Sequence, residues 1–407
     1  MDTANFRDLA VEEFDTRTLL AHASAQSKQR RYEDFFIADV DGHHWEAASY
    51  PKITEYIEDP VLRQQTRYQG VGGRGITTGS GSYQEMGGRI TRQDGRRGET
   101  VAGSQHRDIT LTRRWMDAMG IDTVCLFPTP MLGLPFAVRP EVEVAMARAY
   151  NRWLIETVLA DEPRIRASLY LPLSDAAATL KMVEDFGDKK GVVGFTIIAS
   201  AQRPVTDNLY CKAYAAIEER GLPLVFHAGL IWNGHTSMQL CSRFMAVHAL
   251  SFSFSNIVHM TNWLCNGMPE RFPKLKTVWV ESGLAWIPFV MQRLDNEYMM
   301  RSNEVPLLKK KPSDYMREMY YSTQPMEAVD NREALEVTLK MINAETQLLY
   351  SSDYPHWDMD LPSTIYDLPF LSEQAKRNIL GGNAQRAFNL PPTLSDAKLA
   401  RQAERRV

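Results

Sequence analysis

Asp39-Val-Asp-Gly-His-His-Trp-Glu46 places three carboxylates and two imidazoles within eight residues, directly after the apolar run Phe35-Phe-Ile-Ala38. Carboxylate oxygens and imidazole nitrogens are the donors that Zn, Mn and Fe accept, so the chemistry on offer is metal binding. An apolar run of this kind is a buried strand, and residues just past the end of such a strand lie where barrel enzymes do their chemistry. Asp41 and His43 are two apart, so in extended chain their side chains share one side while His44 faces away. A polar loop after an edge strand is the rival reading for this segment alone.

Two further apolar runs end in metal-competent groups. Leu222-Pro-Leu-Val-Phe-His-Ala-Gly229 carries His227, and Leu348-Leu-Tyr-Ser-Ser-Asp-Tyr-Pro-His356 carries Asp353. Parallel barrel strands converge at their C-terminal ends, so Asp41, His43, His227 and Asp353 can meet around one cation. Other groups remain. Glu281 ends a further strand, and Glu46, His106, His259 and His356 are unassigned. His259 lies in the apolar segment Phe252–Leu264, where a lone histidine is either a hydrogen-bonded core residue or a ligand. His106 stands under the same choice. His356, in a Pro-containing turn beside Asp353, suits orienting that carboxylate or binding substrate. If Glu46, His106 and His259 join the cluster, the set is large enough for two metals bridged by carboxylates, which could activate O2 with Fe or Mn/Fe. With one metal, Zn or Mn would polarise a substrate or activate water.

These groups need a scaffold that brings strand ends together. Eight strand-like runs recur: Phe35–Asp39, Thr123–Phe127, Ala167–Leu171, Val192–Ile197, Leu222–His227, Thr277–Glu281, Glu318–Ser322 and Leu348–Ser352. Helix-like segments separate them, among them Glu141–Ala160, Ala176–Phe186, Leu209–Arg220, Ser242–Asn266, Ala285–Met299 and Arg332–Ile342. Alternating strands and helices give a parallel sheet, and eight units with polar groups after the strands give a (β/α)8 TIM-like barrel over 35–390. Residues 1–34 form an N-terminal extension with a helix from about Val11 to Arg31, and 391–407 a charged, helical tail. A Gly-rich insertion, 67–107, follows the first strand and partly lids the mouth. Its Gly70-Val-Gly-Gly-Arg-Gly75 follows no strand and opens no helix, which argues against a dinucleotide loop.

With 44% hydrophobic and 24% charged residues, the chain has the composition of an ordinary globular protein. A net charge of -4 and pI near 6.2 give no reason to expect nucleic acid or a membrane surface as partner. No segment reaches the roughly 18 apolar residues of a membrane span, and the N-terminus lacks a signal peptide's order, so a cytoplasmic location is expected. Cys125, Cys211, Cys241 and Cys265 are scattered free thiols. No Gly-x-Ser-x-Gly elbow or phosphate loop is present. Arg107, Arg293, Trp232, Trp286 and Trp357 are candidates to meet a carboxylated substrate, although barrel tryptophans are more often packing.

Taken in order, Asp39-Val-Asp-Gly-His43, Met116–Asp122, Leu224–Gly229, Arg271-Phe-Pro-Lys-Leu275, Glu281–Trp286 and Ser351–His356 resemble the amidohydrolase superfamily, in its amidohydrolase-2 branch of nonoxidative aromatic decarboxylases and related hydrolases. The resemblance covers most of 35–390 and implies a metal-binding barrel with Asp41 in the first ligand position and His43, His227 and Asp353 as the other ligands. Two departures stand out: Asp-x-His replaces the common His-x-His, and Glu281 stands where many relatives carry a metal-binding histidine. The N-terminal extension, the insertion and the Asp-x-His-His-x-Glu pattern are similar to a dinuclear nonhaem oxygenase offshoot of the aminoisobutyrate hydroxylase type. The expected function is therefore O2-dependent hydroxylation of a small carboxylate or amino acid in a homo- or hetero-oligomer, with Asp353, Glu281 and His356 catalytic and Asp41, His43, Glu46, His106, His227, His259 and Asp353 on the metals. The alternatives are a single-metal decarboxylase or hydrolase, and a non-catalytic metal-binding subunit.

Overall fold

Short runs rich in β-branched and aromatic residues form eight parallel strands: β1 (Ala38–His44), β2 (Thr123–Pro128), β3 (Ile165–Tyr170), β4 (Val192–Ile198), β5 (Leu224–His227), β6 (Thr277–Val280), β7 (Tyr320–Ser322) and β8 (Leu348–Leu349). The computed structural model describes residues 16–69, 103–136, 139–199, 203–229, 236–327, 331–356 and 358–405. Each strand pairs with the next in sequence order, as the (β/α)8 expectation requires. Register levels the C-terminal ends, with His43 opposite Phe127, and His227 opposite Ile198 on one side and Val280 on the other. The last seam is drawn together by single bonds: Val40 N–H donates to Tyr350 O (3.0 Å), His43 N–H to Tyr354 O (2.8 Å) and Asp353 N–H to Asp41 O (2.7 Å). Asp39 adds to it, accepting from Asp41 N, Ser352 N and Ser352 Oγ (3.0, 2.9 and 2.5 Å). Burial pushes that carboxyl up to about 7 against the pull of those donors.

Helices cover the outside, and each buries one stripe. In Ala176–Phe186 the stripe is Thr179, Met182, Val183 and Phe186, at helical spacing, and the Asp175 side chain caps the first turn by accepting from Ala177 N and Ala178 N. Ile109, Trp115, Met116 and Met119 do the same for Arg107–Met119. Each such large apolar side chain contributes about 1.5–3 kcal/mol on burial. The helix and the neighbouring β2 lie so close to β1 that a Cβ on Gly42 would stand 2.6 Å from Val124 Cγ2 on β2 and 2.9 Å from Trp115 Cη2 on the helix. Glycine between Asp41 and His43 lets β1 sit against its neighbours.

The first strand starts at Ala38, three residues after its expected start, and runs through His44. Phe35 stays outside the sheet, packing its ring between Tyr32 and Tyr366 after the short turn Tyr32–Asp34. The polar cluster is thus largely in the strand instead of in a loop beyond it. The C-terminal segment holds a helix, Asp396–Glu404, pinned where Lys398 Nζ donates to Asp122 Oδ2 (2.5 Å) and Phe35 O (2.7 Å). Most of the Gly-rich insertion (70–102), Trp232 and Trp357 lie outside the described residues. Among the described residues, no helix is long and apolar enough to cross a membrane.

Candidate metal centre

Asp41 and His43 point from β1 toward the mouth of the barrel, His227 comes from the last position of β5, and Asp353 from the segment after β8. His43 Nε2 stands 3.1 Å from Asp41 Oδ1 and 3.2 Å from Asp353 Oδ1, and His227 Nε2 stands 3.3 Å from Asp41 Oδ1. All four side chains are fully buried. Their donor atoms form two overlapping groups within 4.8 Å that share His43: Asp41, His43, His227 and Glu281, and His43, Asp353 and His356.

The backbone fixes which imidazole nitrogen carries hydrogen. His43 Nδ1 is 2.9 Å from Pro128 O and His227 Nδ1 is 2.7 Å from Ala228 O. A carbonyl only accepts, so both Nδ1 atoms donate, and in the neutral rings both Nε2 atoms present lone pairs to the cluster. Burial holds the His43 ring below its usual range, against the pull of Asp41, which keeps it neutral. Lone pairs on nitrogen therefore face a carboxylate oxygen at 3.1–3.3 Å, an arrangement that repels unless a cation lies between. Buried Asp41 Oδ2 has no hydrogen-bond partner. This donor set fits a divalent metal, with the Nδ1–H bonds serving as the orienting contacts of metal-binding histidines.

Glu281 and His356 are the other members of the two groups. Glu281 follows β6 at a positive φ of 57° and sets Oε2 3.4 Å from His227 Nδ1 and Oε1 3.6 Å from His356 Nδ1. His356 Nδ1 stands 2.7 Å from Asp353 Oδ1, and its ring stacks on His43 with centroids 4.1 Å apart. Glu46, His106 and His259 are not brought into either group. Both Glu46 oxygens accept backbone N–H groups, from Thr129 (2.9 Å) and Met131 (2.6 Å), and burial pushes this carboxyl up to about 7. His106 caps the helix Arg107–Met119, its Nδ1 accepting from Asp108 N at 3.3 Å. His259 Nε2 donates to Ala199 O at 2.6 Å.

His44 does face away, its Nδ1 2.9 Å from Asp108 Oδ2 and its Nε2 2.8 Å from Tyr150 OH in the outer layer. One residue at the mouth escaped the sequence reading. Thr129, just past β2, places Oγ1 3.4 Å from His43 Nδ1 and 3.3 Å from His356 Nε2. Its position one residue beyond a strand end was the available signal. Asp39, inside the motif but not among the expected ligands, braces the seam between β1 and the segment after β8.

The amidohydrolase family matches residues 39–390. A gamma-resorcylate decarboxylase from a Polaromonas species is 24% identical over 293 residues, covering 68% of this chain and 86% of that protein. Among solved structures, 5-carboxyvanillate decarboxylase from Sphingomonas paucimobilis aligns with a TM-score of 0.63 at 20% identity, over 88% of this chain and 100% of that one. A dihydroxybenzoic acid decarboxylase from Polaromonas, solved with manganese and the inhibitor 2-nitroresorcinol, aligns with a TM-score of 0.59 at 19% identity, over 88% and 97%. At these identities the structural likeness establishes the fold. The expectation of an O2-dependent hydroxylase is corrected here, since the named relatives are decarboxylases. It rested on a second metal drawing Glu46, His106 and His259 together, and those side chains are directed to three different backbone sites. Iron and Mn/Fe lose their support with it, manganese being the metal bound in that relative.

Proposed function

The chain belongs to the amidohydrolase family, and on that footing we propose that it is a metal-dependent decarboxylase of a small aromatic carboxylate bearing a ring hydroxyl. The observation that carries the reading is the set of imidazole lone pairs and carboxylate oxygens turned on one another at 3.1–3.3 Å in a fully buried mouth. The relatives' substrates, dihydroxybenzoate and carboxyvanillate, supply the substrate class.

Asp41, His43, His227 and Asp353 would hold the cation, with Mn or Zn suited to these donors. When bound, it supplies positive charge against the substrate's carboxylate and neighbouring oxygen. Release of CO2 requires a proton on the ring carbon that bears the carboxylate. The bond between that carbon and the carboxylate then breaks, its electron pair returns to the ring, and the products are CO2 and the arene, with one proton consumed. Glu281 is assigned the proton, because it borders the cluster outside the four ligands and lies within reach of His356 Nδ1. His356, with Nδ1 2.7 Å from Asp353 Oδ1, is placed to restore that proton and to hold the Asp353 carboxylate in line.

The test is incubation of the Mn-loaded protein, in O2-free buffer, with 2,6-dihydroxybenzoate, 5-carboxyvanillate and further hydroxylated benzoates, following CO2 and the arene. Turnover without O2 is expected. No CO2 from any of the panel, or turnover that demands O2, would overturn the proposal.

A further inference from the structure

Glu46 closes the polar cluster Asp39–Glu46, and the proposed metal centre does not use it. Its two oxygens take two amides of one turn, Thr129 N–H at 2.9 Å and Met131 N–H at 2.6 Å. Charge-assisted bonds to alternate amides fix a turn's position and orientation together. The turn so fixed carries the Thr129 hydroxyl between two imidazoles of the site, 3.4 Å from His43 Nδ1 and 3.3 Å from His356 Nε2. His43 Nδ1 is a donor, because it also bonds Pro128 O. The threonine oxygen shares that hydrogen at 3.4 Å and has its own hydroxyl hydrogen to offer His356 Nε2 at 3.3 Å. A carboxylate only accepts, so the hydrogen of a neutral His356 ring belongs on Nδ1, toward Asp353 Oδ1 at 2.7 Å and Glu281 Oε1 at 3.6 Å.

We propose that Glu46 is a positioning residue: it clamps the turn Thr129–Met131 so that Thr129 holds His356 in the tautomer whose Nδ1–H faces the Asp353 and Glu281 carboxylates. The kinetic consequence rests on the decarboxylase reading, whereas the tautomer does not.

Glu46→Gln keeps one acceptor and sets an amide N–H against the other backbone N–H, so the turn loosens. Glu46→Gln and Thr129→Val should each lower kcat about tenfold with KM and bound metal unchanged. Thr129→Ser, which retains the hydroxyl, should restore the rate. The double variant should be no slower than Thr129→Val alone, because both changes act through one contact. Independently of activity, 15N spectra of histidine-labelled protein, assigned with His356→Asn, should show an unprotonated His356 Nε2 in the wild type and a mixture of tautomers in Glu46→Gln. Additive rate losses, loss of metal in Glu46→Gln, or a protonated Nε2 in the neutral wild-type ring would overturn the clamp. A wild type that releases no CO2 yet shows the unprotonated Nε2 refutes the decarboxylase reading and leaves the clamp standing.

Discussion

Asp41→Asn should make the metal-stripped protein more stable and the metal-loaded protein less so. In the stripped wild type, Asp41 Oδ1 faces two lone pairs at 3.1 and 3.3 Å, and Oδ2 has no hydrogen-bond partner. A carboxamide has the same shape, removes the buried charge, and offers its NH2 hydrogens to His43 or His227 Nε2. Leaving a buried acceptor unmet costs about 1–3 kcal/mol, so a gain of about 1–2 kcal/mol is expected. Unfolding entropy of about 2.1 cal/mol/K per residue gives about 0.85 kcal/mol/K for 407 residues. The stripped variant should therefore melt about 1–2 °C higher. With metal at about 100 times its Kd, the wild type gains about 2.7 kcal/mol, or about 3 °C. If the neutral amide weakens binding about 100-fold, the variant gains only about 0.4 kcal/mol at the same concentration, or about 0.5 °C. The two melting temperatures should cross as Mn2+ is titrated into chelator-treated protein, followed by calorimetry at pH 8, where the buried His43 ring is neutral. A stripped variant that melts below the stripped wild type would refute the opposed lone pairs, because Asp41 would then have been accepting a hydrogen.

Three further outcomes follow from other parts of the molecule. Glu281→Gln should lower kcat about 100-fold or more, as loss of a proton carrier does, while elemental analysis finds unchanged metal; loss of metal instead would make Glu281 a ligand. Gly42→Ala forces a methyl to within 2.6 Å of Val124 and 2.9 Å of Trp115, so urea unfolding should show a loss of about 1–3 kcal/mol; unchanged stability would mean that β1 moves freely against its cover. Burial lowers Lys398 to about 8, only partly offset by Asp122. The unfolded chain then binds more protons between about pH 8 and the ordinary lysine value near 10.5, so the penalty is complete below that window and disappears as pH rises through it. Relative to Lys398→Met, the wild type should gain about 3 kcal/mol across that range; parallel stability curves for the two proteins would count against a lysine strained by burial.

The barrel could be read from the chain because its strands are short, nearly continuous apolar runs and its helices carry one apolar stripe each. The segment Ala176–Phe186 begins and ends where the pattern places it, since Asp175 is a ready cap and the stripe repeats at helical spacing. Asp41, His43, His227 and Asp353 were recognisable for the same reason: a parallel barrel gathers its strand ends whatever the loops do. The notable boundary error, at β1, arose because Phe35 is as apolar as a strand residue yet packs on Tyr32 and Tyr366.

Residue types and spacing thus determined the scaffold and the convergence of four side chains able to bind metal, since these depend on periodicity and on the topology that periodicity imposes. Direction was decided in three dimensions. Glu46, His106 and His259 are as capable of binding metal as their neighbours, and only the folded backbone turns them toward Thr129 and Met131, Asp108 and Ala199. The hydrogen on each ring nitrogen was likewise settled by a carbonyl, Pro128 O for His43 and Ala228 O for His227. A count of donors assumes that every lone pair is available. The fold commits some of them to backbone amides and leaves others facing one another, and that difference separates the compact cluster proposed here for a metal from the larger one that composition alone suggested.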